Sequence, residues 1–348
     1  MKVFLVILVI ILVVIIAIVV FPIIAGRSPG GSFTGQSLFK SEDGGLSWKN
    51  LEKFPGGEIT ALVLDSKDRD VLIIGTERRG VWKGRKNGEN WEQYPESLGE
   101  GSKVFDFIRA ASWNDFAALV FYTNRGRVIS LKEDKRTELL FTPLEQFAFF
   151  KGKASSDRKV MRVIGSDGGF YESSDGGKSW SVLSRFREGL TLFEANSKNP
   201  SELWASDARG SLYHSENGGR NWEDFSEGLR DFPGAENAKI IHYEPSSGIL
   251  YHGSRFGLLE SSNKGRSWDA APLPVPAEIL PVTSITFDPK DSRKIFVGVL
   301  NQLYISGDRG RSWQAVKIPA GGAVSAVAID PENTSHVFLG LKAAERVR

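Results

Sequence analysis

Two hydrophobic patterns divide the chain. From Val3 to Ala25 every residue is apolar and none is charged. As a helix, such a run is about 34 Å long, enough to cross a hydrocarbon core. After residue 26 no stretch keeps a convincing helical period. The apolar residues fall instead into short runs rich in Val, Ile, Phe and Tyr, separated by Gly, Asp, Asn, Ser and Pro, a pattern of short strands and tight turns.

The short runs repeat. An aromatic or aliphatic pair is followed by Ser, a polar residue, Asp or Asn, Gly, a basic residue, Ser or Asn, and Trp. It reads LFKSEDGGLSW to Trp48, FYESSDGGKSW to Trp180, LYHSENGGRNW to Trp222, LLESSNKGRSW to Trp268 and LYISGDRGRSW to Trp313, with a weaker VWKGRKNGENW to Trp91. The Trp-to-Trp intervals are 43, 89, 42, 46 and 45, so the longest spans two periods. A decayed copy is predicted near residue 135, where GRVISLKEDKRTELL keeps the strand-turn-strand outline without the Gly and Trp. Each hairpin follows two further strand-like runs, such as ITALVLD and VLIIGTE. Four strands per unit and seven units predict an all-β fold, a seven-bladed β-propeller preceded by a transmembrane helix. Residues 38–51 hold only the last two strands of a unit and 323–341 only the first two, so the terminal pieces share one blade and close the ring.

The predicted organisation is a signal anchor over 1–26, a Gly/Ser/Pro-rich flexible linker over 27–37 and a propeller over 38–348. A cleavable secretory signal also begins with a short positive segment. This run exceeds the usual 7–15-residue apolar core and no clear A-x-A site precedes Arg27, which favours an uncleaved anchor. Lys2 then lies in the cytoplasm and the propeller in the periplasm or outside the cell. Charge changes the picture little: 44 Lys+Arg stand against 42 Asp+Glu, and the basic excess of a nucleic-acid binder is missing. The absence of Cys removes disulfides, thiolate metal sites and cysteine nucleophiles.

The Ser-x-Asp-x-Gly-x-Ser/Thr-Trp pattern resembles the Asp-box, or bacterial neuraminidase repeat. It is carried by Ser41, Asp43, Gly45 and Trp48, by Ser173, Asp175, Gly177 and Trp180, and by Ser306, Asp308, Gly310 and Trp313, while Asn217 before Trp222 and Asn263 before Trp268 replace the Asp. These are read as structural residues: Asp or Asn accepts hydrogen bonds from turn N–H groups, Gly takes a positive φ, and Trp buries its ring against the neighbouring strand. Seven blades with an anchor resemble the photosystem II stability/assembly factor family and the sortilin-type propellers. Of other Asp-box families, the sialidases carry an Arg-Ile-Pro segment that this chain lacks, and the xyloglucan endoglucanases use a cleft between two propellers, where here there is one.

The resemblance implies a non-catalytic platform for a protein, a membrane-protein complex included, or a glycan, and the arginine-bearing loops below suit an acidic peptide. The alternative is a glycoside hydrolase, sialidase-like or endoglucanase-like, with its site at the channel mouth. Its grouped carboxylates are Glu77, Asp167 and Asp207, at the ends of second strands. His214, His242, His252 and His336 show no H-x-x-H spacing, so neither a metal site nor a cofactor is expected. The loops joining second to third strands carry Arg78, Arg79, Arg125, Arg127, Arg209, Arg255 and Arg346. Radial repetition places equivalent loops on one face, and Arg78, Arg79, Arg125, Arg209 and Arg255 are the predicted ligand-binding residues.

Overall fold

A computed structural model describes residues 36–344 apart from 66–67, 69, 94–100, 109–115, 123–124, 133–134, 142–146 and 156–158. The predicted anchor and nearly all of the linker lie outside those residues. Among the described residues no helix is long and apolar enough to cross a membrane.

Seven four-stranded antiparallel sheets stand in a ring. Blade 1 combines Ala323–Ile329 and Val337–Lys342 with Leu38–Ser41 and Lys49–Asn50. Leu38 pairs with Gly340 and Ser41 with Val337, so the two ends of the chain share one sheet. Blades 2 to 7 follow in chain order over 59–93, 103–141, 149–185, 190–224, 240–270 and 282–317. The decayed repeat near 135 is the hairpin of Arg125–Lys132 and Lys135–Phe141 in blade 3.

Burial falls outward across each blade. The second strands Leu72–Thr76, Met161–Gly165 and Ile295–Val299 are buried at every position, because both sheet faces pack on neighbouring blades. The outermost Glu223–Asp224 is exposed. Glycines near the ends of the second strands set how closely the blades approach. A Cβ on Gly75 would lie 2.6 Å from Val104 of blade 3, and one on Gly340 would lie 2.5 Å from Ile59 of blade 2.

The first strands of all neighbouring blades touch, closing an inner ring around the channel. Hydroxyls stitch one arc: Ser325 donates to the Ile59 carbonyl at 2.6 Å, Thr60 to Val104 at 2.6 Å and Thr283 to Val324 at 2.8 Å. Charge and aromatic contacts hold the other. Lys151 lies 3.5 Å from Asp106, Lys153 3.0 Å from Glu194, and His242 3.7 Å from Glu194 while stacking on Phe287. Burial alone would raise the Glu194 carboxyl, but Lys153 and His242 hold it down at about 2.

The repeated turns have one construction. Ser41 Oγ accepts the Gly45 N–H at 2.8 Å and donates to Asp43 Oδ1 at 2.7 Å, and that oxygen also accepts the Ser47 N–H at 2.9 Å. The Ser173/Asp175 and Ser306/Asp308 turns repeat it, and the side-chain oxygens of Asn217 and Asn263 accept the N–H groups of Asn221 and Ser267 at 2.9 Å. The indoles correct the sequence expectation. Of the six repeat indoles Trp268 alone is buried; Trp48, Trp91, Trp180, Trp222 and Trp313 are half-buried, because the hairpin each one closes is the outer edge of its blade. Several indoles instead fasten their own turn, Trp180 donating to the Gly177 carbonyl at 3.1 Å and Trp222 to Gly219 at 3.0 Å.

Candidate binding face

The turns from second to third strand lie where the chain crosses from one blade to the next, and the two sets of loops are hydrogen-bonded together. Gly80 N–H donates to the Ser102 carbonyl at 2.9 Å, Ala208 to Gly189 at 3.0 Å and Glu278 to Phe256 at 3.1 Å. Turns of blades 2, 5 and 6 therefore belong to one surface together with the crossings. Arg78, Arg79, Arg209 and Arg255 are exposed on these turns, and Arg125 is half-buried at the start of the third strand of blade 3.

The arginines are not equivalent. Arg79 donates to the Pro55 carbonyl at 2.8 Å and Arg209 lies 2.9 Å from Glu188, so both brace a crossing. Arg125 forms a strand bridge with Phe147 in the crossing to blade 4. The guanidinium groups of Arg78 and Arg255 have no hydrogen-bond or ion-pair partner among the described residues. Arg346 lies outside them.

The three carboxylates proposed for a hydrolase are each committed within their own neighbourhood. Lys103 lies 2.7 Å from Glu77. Asp167 accepts from Tyr171 Oη at 2.7 Å, from the Gly169 N–H at 2.9 Å and from Arg185 at 2.6 Å. Burial would raise Asp167, yet these bonds hold it below the usual carboxylate range, and burial and Asp167 together push Tyr171 up to about 12. Asp207 is buried and accepts the Arg209 and Ser211 N–H groups and Tyr213 Oη, each at 2.9 Å. A glycosidase acid needs a raised carboxyl, and a retaining pair sits about 5 Å apart. Asp167 is shifted opposite to what an acid needs, and all three carboxylates are already engaged by partners of their own.

Two features escaped sequence reasoning. Beside Arg255, the crossing from blade 6 to blade 7 folds over Phe256 and encloses an apolar cavity of about 80 Å³, lined by Leu273, Val275, Pro276, Leu280 and Val282. Its signal was the Pro-spaced apolar run APLPVPAEIL, which reads as a linker. At the opposite end of blade 5, Glu202, His214 and Glu216 bring ligand atoms within 4.8 Å of one another. No H-x-x-H spacing announces them because they come from a strand start, the adjacent strand and the turn beyond.

No protein-family model matches the chain. A curated relative, the vacuolar protein sorting/targeting protein 10 of Verticillium alfalfae, is 24% identical over 146 residues, which is 38% of this chain and 10% of that protein. The chain thus spans about a tenth of its length. Among solved structures, YCF48 bound to D1 peptide superposes with a TM-score of 0.63 at 13% identity, over 89% of this chain and 98% of that one. The GH74 xyloglucanase of Xanthomonas campestris gives 0.62 at 16% identity, over 82% of this chain and 51% of that one, and the GH74 enzyme of Niastella koreensis 0.66 at 13%, with the same coverage. These likenesses establish the seven-bladed fold.

Proposed function

We propose that this protein is a non-catalytic binding platform, anchored in a membrane by residues 3–25 with its propeller on the periplasmic or extracellular side, whose crossing face takes an acidic segment of a protein partner. The observation that carries the reading is the pair of exposed, uncommitted guanidinium groups of Arg78 and Arg255, on equivalent turns of different blades, one beside an apolar cavity. Arg forks suit carboxylates, and the cavity is the size of one aliphatic side chain. The peptide held by YCF48 and the sorting role in the name of the Verticillium relative agree with protein binding by propellers of this kind. The repeated turns, which resemble the Asp-box, serve here as scaffold.

The test is fluorescence anisotropy with labelled Asp/Glu-rich peptides containing Leu or Val, comparing the wild type with Arg78→Glu/Arg255→Glu. Each exposed contact is worth roughly 1 kcal/mol or less, so the double reversal should weaken binding about tenfold and the loss should shrink in high salt. Equal binding by both proteins would sink the assignment of the face. Turnover of sialosides or xyloglucan by the wild type would transfer it to the hydrolase reading.

A further inference from the structure

A second site lies away from that face, at the seam between blades 5 and 6. Glu202 opens the buried part of a second strand, His214 sits on the third strand beside it, and Glu216 stands in the following turn. Glu202 and His214 are buried, with 4% and 3% of their surfaces exposed. His214 Nε2 makes no hydrogen bond and points at Glu202 Oε1 from 3.5 Å. Among the described residues, the one cation in contact with both carboxylates comes from the next blade: Lys264 Nζ lies 2.7 Å from Glu202 and 3.0 Å from Glu216. Lys264 holds φ at +67°, where the equivalent residues Gly44, Gly176 and Gly218 hold +73° to +74°.

We infer that this seam is a divalent transition-metal site, ligated by His214 Nε2 and the carboxylates of Glu202 and Glu216, whose place is kept by the Lys264 ammonium until a metal displaces it. One imidazole and two carboxylates form a donor set suited to Zn²⁺ and unlike the all-oxygen cages of Ca²⁺ or Mg²⁺. Bonds of about 2.0–2.2 Å put tetrahedral ligands roughly 3.3–3.6 Å apart, and the His214–Glu202 pair is already at 3.5 Å. Only Glu216 must close in, and its side chain is 70% exposed. Outer contacts fix the buried ligands, as ligands of such sites require. Asn196 donates to Glu202 Oε2 at 2.7 Å, leaving Oε1 for the metal, and the His214 ring packs against Trp204 at 5.2 Å and Phe225 at 5.1 Å. The Lys264 side chain is 47% exposed on a flexible stem, and its departure opens the fourth position to water.

The experiment is calorimetric titration of ZnCl₂ into the whole protein, with Co²⁺ absorption as the spectroscopic readout of a tetrahedral nitrogen/oxygen site. One equivalent should bind. Lys264→Met, which removes the competing ammonium, should bind at least tenfold more tightly, and Glu216→Gln, at an exposed position that leaves folding intact, at least tenfold more weakly. Abolition of the Co²⁺ band by His214→Gln in the Lys264→Met background, with circular dichroism unchanged, would support the imidazole as a ligand. If Lys264→Met bound no zinc, or Glu216→Gln bound it as tightly as the wild type, the cluster would be a charge-balanced clasp between blades and the inference overturned.

Discussion

Acidification between pH 6.5 and 4 should weaken this propeller through His252. It is fully buried in the second strand of blade 6, and neither ring nitrogen has a hydrogen-bond partner. The equivalent positions before the second-strand glycine hold Ile74, Ile164, Val297 and Leu339, all fully buried. Burial lowers the His252 pKa from 6.5 to about 4. The unfolded chain therefore takes up a proton as the pH falls below 6.5, while the folded core refuses it until about 4. Stability is complete above pH 6.5, is lost between 6.5 and 4, and has no further His252 slope below that. A displacement of that size corresponds to about 3 kcal/mol at pH 4. His252→Leu, which gives blade 6 the residue of blade 1, should stabilise by about 1–2 kcal/mol at pH 7 by removing unsatisfied buried nitrogens. The advantage should grow by about 3 kcal/mol at pH 4. Urea unfolding followed by tryptophan fluorescence at pH 7, 5.5 and 4 measures both quantities. Parallel pH curves for the two proteins would show that the folded state accommodates the imidazolium, and the burial argument would be refuted.

Four further outcomes follow from the turns and the channel contacts. Asp175→Asn should cost less than about 1 kcal/mol in urea unfolding, because Asn263 already serves such a turn by donating from Nδ2 to Ser267 Oγ at 2.8 Å; Trp180→Ala should cost about 2–3 kcal/mol, from a half-buried ring and its bonds to Gly177 and Leu139. Glu194→Gln should destabilise by about 2 kcal/mol at pH 7, since Lys153 loses its counter-ion in the channel, and the gap to the wild type should close as the pH falls from 4.5 through about 2, where the wild-type carboxylate also becomes neutral. Arg309→Gly should raise the melting temperature slightly, because φ of +63° is strained for Arg and free for Gly, a gain of about 0.5 kcal/mol after the entropy of Gly in the unfolded chain.

The blade count and the shared blade were legible because one hairpin is copied, and because a half-unit at each end admits one arithmetic. The copy at blade 3 was recoverable from spacing after its Gly and Trp had gone. What the repeat concealed was depth. A Trp in six of the seven hairpins suggests a core residue, yet most of these rings close an outer edge, whereas the fully buried Trp204 stacks on Tyr243 outside any repeated pattern. The arginine turns were readable as equivalent positions. Which guanidinium is already engaged depends on Pro55 and Glu188, which lie in neighbouring crossings and carry no signal of that role. The Glu202–His214–Glu216 cluster was invisible for a related reason: strand pairing, not sequence spacing, brings its members together.

The shared blade also sets a timetable. Leu38 and Phe39, both fully buried, lie in the strand pair with Val337–Lys342, which the ribosome makes some three hundred residues later. Until that strand is made, the sheets cannot close and any blades already formed keep two open edges. One bears Leu38–Ser41, paired on one side only with Lys49–Asn50, and its two apolar side chains; the other is whichever blade was completed last. Neither edge can be blunted by local rearrangement, because the missing partner has not been made. Closure therefore waits for the C-terminal strand pair. A chain interrupted anywhere before residue 337 is left with exposed strand edges that invite pairing with other chains, so for this protein premature termination and aggregation are the same hazard.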